Sequence, residues 1–247
     1  MDQLAVNSAD AVVAVSEPLA RKLQQAMGGE QKLVAVIPCC VERPLFSCSA
    51  RQGMRRTLGL SDDELLFVHT STEERWEAFD QVLDFFRAAY LRQRSRMLFL
   101  TTLDPSVVTA SLSTNDPLLK ALIIRKARPD EVSEYLSAAD VGLLLRRPHE
   151  TFRVANPIKF AEFLGAGLAL VVSQNIGTTN QIVEAQKLGV IVPEYSNSSA
   201  INEAAECLIT MMKHDPDALR ARAIEVCKEL YVWDRYTPVI SQLYGLH

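Results

Sequence analysis

Residues 153–172 read Arg-Val-Ala-Asn-Pro-Ile-Lys-Phe-Ala-Glu-Phe-Leu-Gly-Ala-Gly-Leu-Ala-Leu-Val-Val, and they combine a helix start, a charged pair and a buried strand. Asn156 is a good N-cap residue, and Pro157 suits the first helical position, where its missing N–H costs nothing. A start of that kind leaves backbone N–H groups and the positive end of the helix dipole facing outward, toward a phosphate or another anion. Lys159 follows in the first turn, and Glu162 lies three residues on along the same face. A cation beside a phosphate and a carboxylate one turn deeper, able to accept two hydrogen bonds from a ribose diol, suits a nucleoside diphosphate. Phe160, Ala161, Phe163 and Leu164 supply the apolar side that packs the helix onto a sheet.

Outward from this stretch, short β-branched or apolar runs alternate with longer amphipathic ones, the pattern of a parallel sheet with helices on both faces. Strands are expected at residues 11–15, 33–37, 65–70, 97–101, 122–125, 141–145, 168–172 and 190–192. Helices are expected at 17–27, 72–92, 105–111, 129–138, 157–164, 179–187, 200–214, 216–230 and 233–244. The fold class is therefore α/β, a doubly wound parallel sheet. Residues 38–51, rich in Pro, Cys and Ser, read as a connection between two blocks. A first block of about forty residues is too small for a core of its own. The expected division is 1–45, a remnant of a neighbouring domain with its connection; 46–232, a complete domain; and 233–247, a C-terminal helix docking back on the first segment.

The 247 residues carry 23% charged side chains and a net charge of −4, which gives no electrostatic footprint for nucleic acid. Apolar runs are too short to span a bilayer, and the first residues lack the basic start of a secretory signal, so the expected location is the cytoplasm. The five cysteines show no zinc or redox spacing and read as reduced thiols, and no metal site is expected. His149-Glu150 lacks the further ligands a metal needs. Cys39-Cys40, as neighbours, would bridge only through a strained ring. Val82, Phe85, Phe86 and Ala89, like Leu208, Met211 and Met212, have helical spacing and face a core. His69 reads as a structural histidine at a strand end.

Several segments, in order, resemble the C-terminal half of a GT-B fold glycosyltransferase of the family-4-like group. Residues 9–16, Ala-Asp-Ala-Val-Val-Ala-Val-Ser, resemble the last strand of that family's acceptor domain, and residues 36–41, Val-Ile-Pro-Cys-Cys-Val, its inter-domain connection. Residues 132–145 are similar to the helix and strand before the donor site. Residues 156–167 match the pattern S-P-x-K-x-x-E-x-x-A-x-G, with Asn for Ser and Gly for Ala. Residues 173–177 and 189–192 close the series.

The resemblance implies a Rossmann-like donor domain for a nucleoside-diphosphate sugar, with a second domain holding the acceptor. It implies sugar transfer to an acceptor hydroxyl, with retention of anomeric configuration and no bound cofactor or metal. The nucleotide sugar is the expected partner, and any peripheral membrane contact would come through the other domain. Glu162 takes the place of the ribose-binding glutamate, and Lys159 that of the residue nearest the diphosphate. Arg153 is a further source of phosphate charge. Asn175 and Gly177 lie in the loop after the next strand, at the carboxyl edge of the sheet. Arg146 follows a buried strand at the same edge, and Ser71 or Arg75 would serve the diphosphate from the loop after the domain's first strand. Two positions depart from the pattern: Val154 stands where many members have a first glutamate, and residues 69–76 contain no glycine. These departures motivate an alternative, a non-catalytic nucleotide-binding or interaction domain. A nucleotide-sugar epimerase of similar build is a third reading.

Overall fold

The computed structural model describes residues 6, 8–27, 32–72, 76–193 and 197–245. Two parallel sheets are present. The smaller pairs β1 (Ala11–Ala14) with β2 (Leu33–Val36), joined by helix α1 (Glu17–Ala26). Ser16 caps α1 by accepting a hydrogen bond from the Leu19 amide. Ala14, Ala20, Leu23 and Met27 form a small cluster behind the pair, while Val13 is 50% exposed and Leu33 49% exposed. Parallel strands are ordinarily covered on both faces, so this pair is only half clothed.

The larger sheet comprises β3 (Leu65–Ser71), β4 (Ser95–Thr101), β5 (Leu122–Arg125), β6 (Val141–Leu144), β7 (Ala169–Ser173) and β8 (Gly189–Val192). Its order is β5-β4-β3-β6-β7-β8, parallel throughout. The chain moves outward one way from β3, then crosses back to β6 and continues the other way. Strand order thus reverses between β3 and β6, where doubly wound sheets open a crevice at their carboxyl ends. Those two strands are paired in register only at Phe67 with Val141 and Val68 with Gly142.

Side chains along the strands alternate between two cores. Phe67, Met97 and Phe99 face α3 (Phe79–Tyr90) and, further along, α8 (Ser198–His214), with Val82, Phe85, Phe86, Ala89, Leu208 and Met212 in the same cluster. Leu66, Val68 and Leu98 face the opposite layer of α5 (Val132–Ala138), α6 (Ile158–Gly165) and α9 (Pro216–Leu230). Two short helices, α4 (Pro105–Thr109) and α7 (Thr179–Ala185), complete the connections. Helix α6 ends in a paired cap: the Gly167 amide donates to the Leu164 carbonyl and the Leu168 amide to the Phe163 carbonyl. Gly167 takes φ +71, the left-handed turn such an ending requires.

All eight strands fall where the sequence pattern puts them, within two residues at each end. Three helical expectations change. Helix α3 starts at Phe79 rather than 72, because Glu77 pairs in an antiparallel bridge with Arg146 and cannot also be helical. The expected helix at 233–244 divides into a 3-10 turn, Trp233–Tyr236, and α10 (Thr237–Leu243), where Pro238 lies at the start of the second piece. Helix α2 (Cys48–Thr57) occupies part of the expected connection. Its sequence has little apolar periodicity because the side chain it buries is Arg55. Arg51 and Arg55 donate to carbonyls at the end of α5 and to Asp140, which also accepts from the Leu66 amide. Positive charge at a helix C-terminus is favourable, and here it joins α2 to the sheet. Val41 pairs with Val232, and the Trp233 amide donates to the Val41 carbonyl, so the connection meets the chain after α9.

Candidate donor site

A cavity of about 280 Å³ opens at the carboxyl ends of β3 and β4, beside the start of α6. Leu100, Ala127, Val132 and Ile158 give it apolar walls, and Thr70, Ser71, Thr72, Thr101 and Thr102 give it hydroxyls. Lys159 and Glu162 both line it. The buried Thr70 Oγ1 and Ser71 Oγ have no hydrogen-bond partner among the described residues. A buried hydroxyl left unpaired costs free energy that a ligand oxygen at the same place would recover.

The structure brings together Lys159, Glu162 and Ser71, and it separates the other expected residues. Arg146 and Asn175 line a second, narrower hollow with His149 and Phe152. The Arg146 amide donates to Ser173 Oγ, and its guanidinium lies 5.1 Å from the Phe152 ring centre. Arg153 projects into solvent, with its side chain 53% exposed, and pairs with Glu150 at 3.2 Å. Gly177 has φ +48, and a Cβ there would stand 1.9 Å from the Ala155 carbonyl oxygen. Its amide donates to the Phe152 carbonyl, so close backbone approach accounts for the glycine. Arg75 lies outside the described residues.

Asn156 corrects the sequence expectation. Pro157, not Asn156, immediately precedes the first helical residue, and α6 has no side-chain cap. The buried Asn156 side chain instead accepts the Cys39 amide at 3.0 Å, which ties the inter-block connection to the segment ahead of Lys159. Ser16 Oγ makes a neighbouring tie by donating to the Val154 carbonyl at 2.7 Å.

Glu77, which the sequence reading did not single out, is the centre of the charge network. It is 4% exposed, and its Oε1 lies 2.6 Å from Lys159 Nζ and 3.8 Å from Arg146. Its Oε2 lies 3.4 Å from His69 Nε2. Burial works against ionisation of Glu77, but His69, Lys159 and Arg146 outweigh it and hold the carboxyl down at about 2. Burial lowers the Lys159 pKa and Glu77 opposes that shift. Glu162 behaves differently. Burial raises its carboxyl above the ordinary range, Lys159 offsets this only in part, and no hydrogen bond to it is present among the described residues. The one sequence signal for Glu77 is a lone carboxylate inside Trp76-Glu77-Ala78-Phe79, an otherwise bulky or apolar run.

A parallel sheet in this strand order, with a hydroxyl-lined cavity and a Lys/Glu pair at its switch point, has the form of a Rossmann-like domain. The fold is that of GT-B glycosyltransferases. HepE of Anabaena, in complex with UDP and glucose, superposes with a TM-score of 0.76 at 17% identity, over 99% of this chain and 68% of that one. A glycosyltransferase from Rickettsia africae ESF-5 gives 0.75 at 12% identity, over 98% and 66%. WaaG, a glycosyltransferase involved in lipopolysaccharide biosynthesis, gives 0.73 at 15% identity, over 94% and 62%. The chain thus spans about two thirds of the length of these neighbours. No family model and no curated protein sequence matches it. Among the described residues no helix is long and apolar enough to cross a membrane, and no group of three or more His, Cys, Asp or Glu is placed to hold a metal ion.

Proposed function

We propose that this chain is the donor-binding part of a glycosyltransferase that moves a sugar from a nucleoside-diphosphate sugar to an acceptor hydroxyl, with retention of configuration. The observation that carries this reading is Glu162, a carboxylate without a hydrogen-bond partner among the described residues, one helical turn from Lys159 in the crevice where strand order reverses. Glu162 accepts the two ribose hydroxyls. Lys159, Ser71 and Thr70 meet the diphosphate, and Arg146 adds positive charge from the far side of Glu77. The chain's contribution to chemistry is positioning and stabilisation of the departing diphosphate more than supply of a protein nucleophile. Residues 1–45 belong to the acceptor domain and its connection, residues 46–232 form the donor domain, and residues 233–247 return toward the connection. The half-clothed β1–β2 pair supports an acceptor domain that continues that sheet. The complex of HepE with UDP and glucose makes UDP the first ligand to try.

A second reading is a nucleotide-binding domain without turnover. Val154 favours it, because this residue stands where a first glutamate is common and its carbonyl is engaged by Ser16. Calorimetry with UDP and GDP on the wild type and on Glu162→Ala tests binding. Equal affinity in the two proteins, or none in either, removes the donor site. Sugar transfer by the chain joined to an acceptor domain excludes the second reading.

A further inference from the structure

The His69 ring lies against the Phe79 and Phe99 rings, with centroids 5.6 and 5.8 Å away. Its Nδ1 is 3.0 Å from the Leu143 carbonyl oxygen. A carbonyl only accepts, so Nδ1 carries a proton. Nε2 faces Glu77 Oε2 at 3.4 Å, too close for a water between them. Both atoms are buried and neither has a hydrogen-bond partner among the described residues. In a neutral ring two lone pairs face each other here, whereas in an imidazolium the same two atoms form a charged hydrogen bond, and it is in that second form that His69 lowers the Glu77 carboxyl.

The surrounding charges give that choice a function. Besides Glu77, ahead of α3, the ionisable groups of the network are Arg146 after β6 and Lys159 and Glu162 on α6, while α3 and β4 present the uncharged Phe79 and Phe99. Lys159 and Arg146 are formally cancelled by Glu77 and Glu162. A diphosphate therefore enters a crevice whose described residues have no positive charge to spare, in a setting where burial strengthens every interaction.

Resting on the donor-site reading, we propose that the site takes up one proton from solvent, onto His69 Nε2, when it binds the diphosphate of a nucleotide sugar. The resulting His69–Glu77 pair releases the Lys159 charge to the phosphates, and the proton returns to solvent when the ligand leaves. Only the Nε2–H bond forms or breaks.

UDP-glucose is a suitable probe because its diphosphate, esterified at both ends, does not titrate near neutral pH. Calorimetry of the full chain at pH 8, in two buffers of different ionisation enthalpy, is expected to show uptake of about one proton per ligand. Affinity should fall as pH rises, with a slope that matches the measured uptake. Uptake disappears in His69→Gln, which has no ring to protonate, and in Glu77→Gln, which leaves Lys159 uncancelled. Nitrogen-15 NMR of the wild type, which has four histidines, reads the ring directly without relying on either variant. The expected change is from a neutral Nδ1–H ring in the free protein to a doubly protonated ring in the complex. UDP-glucose binding without proton uptake, a ring that stays neutral in the complex, or one already doubly protonated in the free protein overturns the proposal and leaves the donor reading intact. Absence of binding to both UDP-glucose and GDP-mannose overturns the donor reading and this proposal with it.

Discussion

Lys159 Nζ lies 2.6 Å from Glu77 Oε1, so the ammonium group at the mouth of the cavity is already paired with a carboxylate of its own chain. The two residues are 82 positions apart and belong to different sides of the strand-order reversal. Such a pair gains Coulomb energy in a low-dielectric setting but pays for the dehydration of both ions. Its value lies in fixing where the cation sits, which an exposed pair of the same residues would not do.

Removing Glu77 leaves Lys159 and Arg146 without their buried counter-ion. Glu77→Gln is expected to lose about 3–5 kcal/mol at pH 7, measured by denaturant unfolding. The acid response identifies the cause. The Glu77 carboxyl is held at about 2 in the fold against 4.5 ordinarily, so its stabilisation is complete above pH 4.5 and is lost as pH falls toward 2. The variant should lose less stability than the wild type over that interval, and parallel losses would contradict the assignment.

Glu162 has the opposite signature. Burial raises its carboxyl, so its ionisation costs stability as pH rises from the ordinary carboxyl range through the higher folded value. Glu162→Gln should melt at or above the wild-type temperature at pH 7, with any gain vanishing near pH 4. The same change should weaken UDP-glucose binding about tenfold to a hundredfold, the range for hydrogen bonds to a charged acceptor. Lower thermal stability with unchanged binding would assign Glu162 to structure alone.

Arg55 is buried and donates to Asp140 and to the Ser61, Glu64 and Ala138 carbonyls. Arg55→Ala strands those acceptors and is expected to cost about 3–5 kcal/mol. Because the contacts are far from the cavity, nucleotide affinity of the folded fraction should stay at the wild-type value in titrations well below the melting temperature.

Gly177→Ala places a Cβ where the Ala155 carbonyl oxygen already lies, at a positive φ. Strain of about 1–3 kcal/mol is expected, with displacement of the loop that carries Asn175. A melting temperature equal to that of the wild type would show that the loop relaxes freely.

The larger sheet was legible because alternation and β-branched runs report burial directly, and each of its six strands has buried side chains. Lys159, Glu162 and Ser71 were legible for a related reason: a helix start and a strand end are local features, and the topology then carries them to one crevice. Asn156 misled because an Asn-Pro pair looks like a cap, while its true partner, the Cys39 amide, is 117 residues away. Glu77 was hidden for the same reason, since Lys159, Arg146 and His69 reach it only after β3, β6 and α6 are assembled. Helix α2 escaped because guanidinium groups replace the apolar stripe that marks most helices.

Asn156 and Val154 each take a hydrogen bond from ahead of the larger domain, one from the amide of Cys39 in the connection and the other from the hydroxyl of Ser16 in the first block. Both anchors fall within five residues of Lys159. The backbone that leads into the lysine is thereby fastened at two points to the part of the chain that carries β1 and α1, so the position of the cation is set from outside its own helix as well as by Glu77.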